Sequence, residues 1–293
     1  MPNAIQLFQK YIPLLDEVYK LESKTQILDG DTNLVKAGQN ANEIIIPKMV
    51  LDGMADYKRA GSGADSYAMG DINISYETVK FNYDRGRKFT VDEMDNEETA
   101  GLAFGQLSSS FLREKVIPEV DAFRMASYAA KAGKTKSGSL ADGNAVLAEL
   151  VIAQTTMDEA EVPEENRILY ITPGHYNAVH AVDTTKSREV LASFSEIRKM
   201  PQSRFYTAID LKDGRADDEL VGGYSKSAEG RNINFMVIHK GAVLQYPKHS
   251  VKRVIHPDYN AESDGYLCFF REYGLADVYE NKKDGIYLHH DAT

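Results

Sequence analysis

Tryptophan is absent from this chain, and cysteine occurs once, at Cys268. A single thiol forms no disulfide within the chain and no cysteine-based metal centre; it suits a reducing compartment. No apolar run approaches the roughly 20 residues that span a bilayer. The first twenty residues carry Pro13, Asp16 and Glu17 rather than a basic flank and an apolar core, so no signal peptide is expected. Basic charge is in short supply: 34 lysines and arginines against 44 aspartates and glutamates leave a net charge of −10. That balance argues against a broad basic face for nucleic acid. Reactive signatures are missing too. Gly61-Ser62-Gly63 lacks the rest of a dinucleotide loop, and there is no phosphate-binding lysine loop, nucleophile elbow or zincin histidine pair. Asp29, Asp31 and Asn33 open like a calcium loop, but Leu34 stands where that loop needs glycine and Asn40 where it needs glutamate. His175 and His180 are five apart, poor spacing for joint metal ligation, and His289-His290 reads as a solvated tail. Cys268 lies in an apolar strand and reads as core. No cofactor, metal or catalytic residue is expected.

What is present begins with 43% hydrophobic residues over 293, enough for a sizeable core. The stretch from Asp92 to Lys131 is the strongest helical signal. Acidic residues crowd its front, Leu107, Phe111, Leu112, Val116, Val120 and Phe123 share one broad face, and Gly133 offers a stop. Pro118 predicts a kink or restart inside it. Residues 43–91 read as a long two-stranded excursion. Ile44 to Ile46 lead to Pro47, Ile72 to Thr78 alternate with polar neighbours, and Val79, Phe81 and Tyr83 alternate one residue out of phase, which predicts a bulge. Asp84-Arg85-Gly86-Arg87 reads as a turn and Phe89 to Val91 as strand. Such a ribbon is barely stable alone. Further on, Lys134–Asp142 reads as a linker, 144–157 as an amphipathic helix, Arg167–Thr172 as a buried strand, and Pro173 as the opening of another helix. Val190–Met200 reads as helix and Phe205–Leu211 and Asn234–Ile238 as strands. The last third is β-rich, with strands at 242–246, 252–255, 266–273, 274–279 and 286–289. Lys248, Lys252 and Arg253 make a small basic cluster.

The order of these parts resembles the major capsid proteins of tailed double-stranded DNA bacteriophages, the Hong Kong 97-type fold. Four stretches carry the resemblance: FNYDRGRKFTVDEMDNEET at 81–99, IPEVDAF at 117–123, RILYITPGHY at 167–176, and DGYLCFFREYGLADVYENKKDGIYLH at 264–289. The resemblance implies an α+β chain with an N-terminal arm (1–42), an extended β E-loop (43–91), a peripheral domain with the spine helix (92–137), a mixed α/β axial domain (138–238), and peripheral-domain strands returning to the axial side (239–293). It implies a non-enzymatic structural subunit that self-assembles into hexamers and pentamers of an icosahedral head, built in the host bacterial cytoplasm and ending in the virion. Packaged double-stranded DNA is contacted non-specifically, and the net negative charge suits a lining that does not adhere to it. No coiled coil precedes the arm, so the resemblance implies a separate scaffolding protein, or assembly without one; a portal is a further expected partner, and a membrane is not.

Some relatives cross-link an E-loop lysine to an asparagine just before the late long strand. Here Lys80 and Lys88 lie on the loop side, and Asp264 stands nearest the acceptor position, which predicts a shell held without covalent links. An E-loop lying across a neighbour's spine satisfies its edges and buries its side chains. Arg85, Arg87 and Lys88 are then expected to meet Glu93, Glu97 and Glu98 of an adjacent copy. Two alternatives stand beside this reading: an encapsulin-like compartment enclosing protein cargo, and a soluble α/β enzyme on segment 140–240 using His175 with Glu149 or Asp183.

Overall fold

The structure is a computed structural model. It describes residues 23–30, 36–37, 43–57, 67–94, 110–182, 184–216, 219–261 and 263–292. These form two compact units, one of the described residues up to Gly30 and from Tyr83 onward, the other of those between Asp31 and Asn82. The arm residues 1–22, Leu107 and most of the acidic helix front lie outside the described residues.

The smaller unit is a three-stranded sheet, dominated by the hairpin of its last two strands. Strand β1 (Lys36–Ala37) pairs with β2 (Glu43–Leu51), and β2 pairs antiparallel with β3 (Ile72–Lys80) without interruption from Glu43↔Lys80 to Leu51↔Ile72. Among the described residues β1 pairs only with Ile44 and Ile45 of β2, and Pro47 stands opposite Tyr76 of β3. The expected bulge is absent, since β3 keeps its register to Lys80 and the phase change in the sequence marks the end of a strand instead. The excursion is also shorter than 43–91. The next strand, β4 (Tyr83–Asp92), belongs to the larger unit, pairing along its length with β12 (Gly265–Val278). Asp84 to Arg87 are therefore mid-strand rather than a turn. Gly86 is needed there because a Cβ would come within 2.8 Å of the Phe270 carbonyl oxygen.

In the larger unit Ser110 and Phe111 lead into a π-helical turn, Leu112–Val116, and then helix α1 (Ile117–Ala130). The Ile117 N–H donates to the Leu112 carbonyl, five residues back, and Pro118 follows at once. This is the expected restart: a residue without an N–H is accommodated by a widened turn. Gly133 is not the helix stop. Its own N–H donates to the Lys283 carbonyl at 2.9 Å, and a Cβ would lie 2.5 Å from that carbonyl carbon, so the glycine permits close backbone approach.

A five-stranded sheet, in the order β5-β13-β10-β6-β7, holds the core. Its strands are β5 (Lys134–Ser137), β6 (Arg167–Ile171), β7 (Glu196–Lys199), β10 (Ile233–His239) and β13 (Ile286–His290). Residues Ile168, Tyr170, Met236, Ile238, Ile286 and Leu288 face Met125 and Tyr128 of α1. Their alternates Leu169, Ile171, Phe235, Val237 and Tyr287 face helix α2 (Gly143–Glu159) through Val146, Leu150, Ala153 and Met157. The centre of the sheet is covered on both faces, which is why β6 and β10 read as unbroken apolar runs. Asp142 caps α2 by accepting the Ala145 N–H at 2.8 Å. Pro173 opens α3 (Pro173–His180) as expected, and α4 (Thr184–Ala192) follows.

Several local assignments change. Lys134–Ser137 is an edge strand rather than linker, made so by parallel pairing with β13. Helix stops at Ala192, and Glu196–Lys199 becomes β7 because it completes the edge beside β6. Of 205–211 only β8 (Ile209–Leu211) is strand, paired with β9 (Tyr224–Lys226). The two pairs of short strands expected late in the chain are single long ones, β11 (Val243–Ile255) and β12, and the register slips once between Pro247 and His249. His289 is not a solvated tail. It is 1% exposed, stacked on Phe235 at 5.2 Å with its Nδ1 3.1 Å from the Asn234 amide nitrogen.

Segment 23–30 is pinned by a buried polar network. The Asp121 carboxylate on α1 accepts Ser23 Oγ at 2.9 Å, the Lys24 N–H at 3.1 Å and Thr25 Oγ1 at 2.8 Å. The Gln245 side chain donates to the Thr25 carbonyl and to Asp29 and accepts the Tyr128 hydroxyl at 2.6 Å. The network therefore fixes the chain just before the hairpin unit begins. Asp121→Ala is expected to strand these donors and to lower stability by about 3 kcal/mol, read from urea midpoints. Acidification is expected to do the same. Burial, outweighing the opposing pull of Glu149, depresses the His289 pKa below its ordinary 6.5, and burial likewise lowers those of His175 and His239. The unfolded chain then binds protons that the folded one resists. The stability is present above about pH 6.5 and lost as pH falls toward the folded values, so the urea midpoint should drop between about pH 7.5 and 5.5.

Candidate assembly surfaces

In an antiparallel pair, residues opposite each other share a face, so the register sorts the hairpin's side chains. One face carries Ile44 and Val79, both buried, and then turns polar through Ile46–Glu77, Lys48–Ser75 and Val50–Asn73. The other carries Ile45–Thr78, Met49–Ile74 and Leu51–Ile72, with Tyr76 opposite Pro47. On this second face Met49, Leu51, Ile72, Ile74 and Tyr76 are 52 to 69% exposed. Beyond the paired strands Met54 and Met69 are fully exposed, and Tyr57 meets Tyr67 edge to face at 4.8 Å. Isolated exposed apolar residues are ordinary, but a contiguous face of this kind marks an interaction surface. Covering the open half of five such side chains is worth roughly 5 kcal/mol before the costs of association.

The root of β4 is tied down differently. The buried Glu119 carboxylate on α1 accepts the Tyr83 hydroxyl at 3.1 Å and Arg85 Nε at 2.8 Å. Arg85 also donates to the Gly223 carbonyl at 3.2 Å, and Arg87 to the Leu220 carbonyl at 2.7 Å. Gly214, Gly222 and Gly223 all have positive φ, and a Cβ on Gly214 would come within 2.6 Å of the Arg87 guanidinium. Glycine thus serves both the turn and the arginine's access to it. Sequence reasoning missed Glu119 and this loop. The signal available was the four glycines between Asp213 and Gly230, namely Gly214, Gly222, Gly223 and Gly230 itself.

Of the six residues expected to join neighbouring copies, Arg85 and Arg87 point toward α1 and the 213–223 loop of their own chain. Lys88 faces the opposite side of β4, its ammonium 5.8 Å from the Phe269 ring centre. Glu93 lies just past β4, its N–H donating to the Asp264 carbonyl at 3.2 Å. Glu97 and Glu98 are outside the described residues. The structure therefore does not gather the set into one place.

Glu149 bonds Lys136 at 2.8 Å, His175 meets Thr172 at 2.7 Å, and Asp183 lies outside the described residues. Cys268 is buried and its thiol is pushed up to about 11 by burial. Among the described residues no group of three or more histidines, cysteines or carboxylates is placed to hold a metal, and no helix is long and apolar enough to cross a membrane.

The arrangement is the Hong Kong 97-type capsid fold. The chain is similar to a structure from Mycobacterium phage Bobi (10% identity, 92% of this chain and 91% of that one, TM-score 0.60) and to the capsid structure of the cyanophage P-SCSP1u (14%, 88% and 86%, 0.55). It is similar as well to the virus-like particle from Pyrococcus furiosus (9%, 94% and 95%, 0.55). No protein-family model and no curated protein matches the sequence.

Ile74→Lys puts a charge in the middle of the apolar hairpin face. It is expected to leave the unfolding midpoint of the isolated chain within about 0.5 kcal/mol of wild type. The concentration needed for self-association should rise at least about tenfold, read by light scattering and sizing.

Proposed function

We propose that this chain is the shell subunit of a phage head, assembling into hexamers and pentamers that enclose double-stranded DNA. The observation that carries this is the amphipathic hairpin: a capsid fold that extends an apolar strand face its own chain leaves exposed. In the reading we favour, that face lies across helix α1 and the helical stretch before it in a neighbouring copy. The open edge of β3 gains a partner in the same contact. Residues 31–82 then act as the E-loop. The β4–β12–β11 sheet with α1 forms the peripheral domain, and the five-stranded sheet with α2 to α4 forms the axial domain. Lys88 and the acidic stretch Glu93, Glu97 and Glu98 are the charged groups we assign to contacts between copies; Arg85 and Arg87 contribute by fixing their own 213–223 loop. A separate scaffolding protein, a portal, assembly in the host cytoplasm and a final place in the virion belong to this reading, as does a shell without covalent cross-links.

A second reading is favoured by one likeness, that to the virus-like particle from Pyrococcus furiosus, and has the same shell closed around protein. Expression of the chain followed by sizing and negative-stain imaging tests the shared part. Closed particles or ring-shaped capsomers are expected, and a small discrete oligomer under all conditions would contradict both readings. Nuclease-protected DNA in particles from an infected or induced host separates the first from the second.

A further inference from the structure

The β11–β12–β4 sheet has two unlike faces. Cys268 and Phe270 of β12 turn inward with Phe89 and Val254 against Leu112 and Phe111. The alternates turn outward. Lys88 on β4 and Arg253 on β11 both stand opposite Phe269, forming one row across the three strands about 10 Å wide. Arg271 lies two residues along β12, and the Lys248 ammonium sits 5.5 Å from the Tyr273 ring centre on the same side. Asp84, which bonds Arg271 at 2.6 and 2.8 Å, and Asp92 are the carboxylates at the two ends of β4. With Arg271 paired to Asp84, the positive charge of this face is carried by Lys88, Arg253 and Lys248, on a chain of net charge −10.

The same chain carries an acidic counterpart. After α2 the backbone turns through Glu161 and Asn166, both at positive φ. The buried Arg167 holds this turn, donating to the carbonyls of Val162 and Pro163 and pairing with Asp158 at 2.7 Å. Asp158 is thereby neutralised, while Glu159, Glu161, Glu164 and Glu165 stand exposed on a fixed knob. We propose that the outward face of the β11–β12–β4 sheet docks the 159–165 knob of a second copy. The two patches differ, so the contact is head-to-tail, and contacts of that kind generate rings rather than closing at a dimer. Exposed charges give modest, salt-sensitive attraction, suited to steering and register rather than permanence. The inference rests on the shell reading for its supply of second copies.

A charge swap tests it. Lys88→Glu with Arg253→Glu is expected to raise the concentration for assembly about tenfold at 50 mM salt and to matter little at 500 mM. Glu161→Lys with Glu164→Lys should do the same. Combining all four substitutions should restore assembly to within about threefold of wild type. Circular dichroism of each unassembled variant establishes that it folds. Assembly unchanged in both double variants, or no rescue in the combination, would overturn the proposal while leaving the shell reading intact. Loss of binding to a 30-base-pair DNA duplex with assembly unaltered would also overturn it, assigning the face to nucleic acid. A wild-type chain that never assembles would instead remove the shell reading itself.

Discussion

A two-stranded ribbon with one apolar face cannot be at rest in water. The hairpin of β2 and β3 has enough backbone hydrogen bonds to hold its register from Glu43 to Leu51, yet Met49, Leu51, Ile72, Ile74 and Tyr76 all lie on one side with solvent against them. An alternation of this kind specifies which side must be covered, because a slip of one residue would send the whole set to the other face. The opposite face is more polar, with Glu77, Lys48, Ser75 and Asn73 beside Ile46 and Val50. The assembly account rests on this asymmetry, since the surface needing a partner is built into the strand pattern rather than added to a finished fold.

The larger unit is well anchored within itself. The five-stranded sheet is packed on both sides, by α1 through Met125 and Tyr128 and by α2 through Val146 and Leu150. The Asp121 and Gln245 network secures the chain just before the hairpin unit, and the Glu119 cluster secures it just after, through Tyr83 and Arg85. Both networks converge on α1, which carries Asp121 and Glu119 one half-turn apart. Buried charged groups of this sort contribute fixed geometry more than net stability, and here they act on the two segments that bracket the excursion.

Much of the fold was legible because its strongest signals were local and periodic. Arg167–Ile171, the helix after Asp142, Pro173 at a helix start and the apolar strand around Cys268 all follow from hydrophobic spacing and caps. Pro118 forecast the change in helical geometry, though not that a π-turn would absorb it. What sequence could not supply were features set by neighbours distant in the chain. Gly86 and Gly133 look like turn or stop residues until the Phe270 and Lys283 backbones are seen against them. Arg85 and Arg87 read as charges offered to another molecule, but the partner that claims Arg85, Glu119, stands thirty-four residues away on a helix. Lys134–Ser137 has no apolar pattern and becomes a strand only because β13 returns beside it from the far end. His289 likewise looked like a tail because its burial depends on β10.

Hydrogen exchange across residues 43–57 and 67–80 tests the central claim most directly. It reads the hairpin's backbone without altering any side chain. In dissociated subunits its amides should exchange quickly for a ribbon with an open edge. In assembled particles the account predicts that β3 amides slow by at least about a hundredfold, as a second copy covers the edge and the apolar face. Particles in which these amides exchange as fast as in free subunits would contradict it.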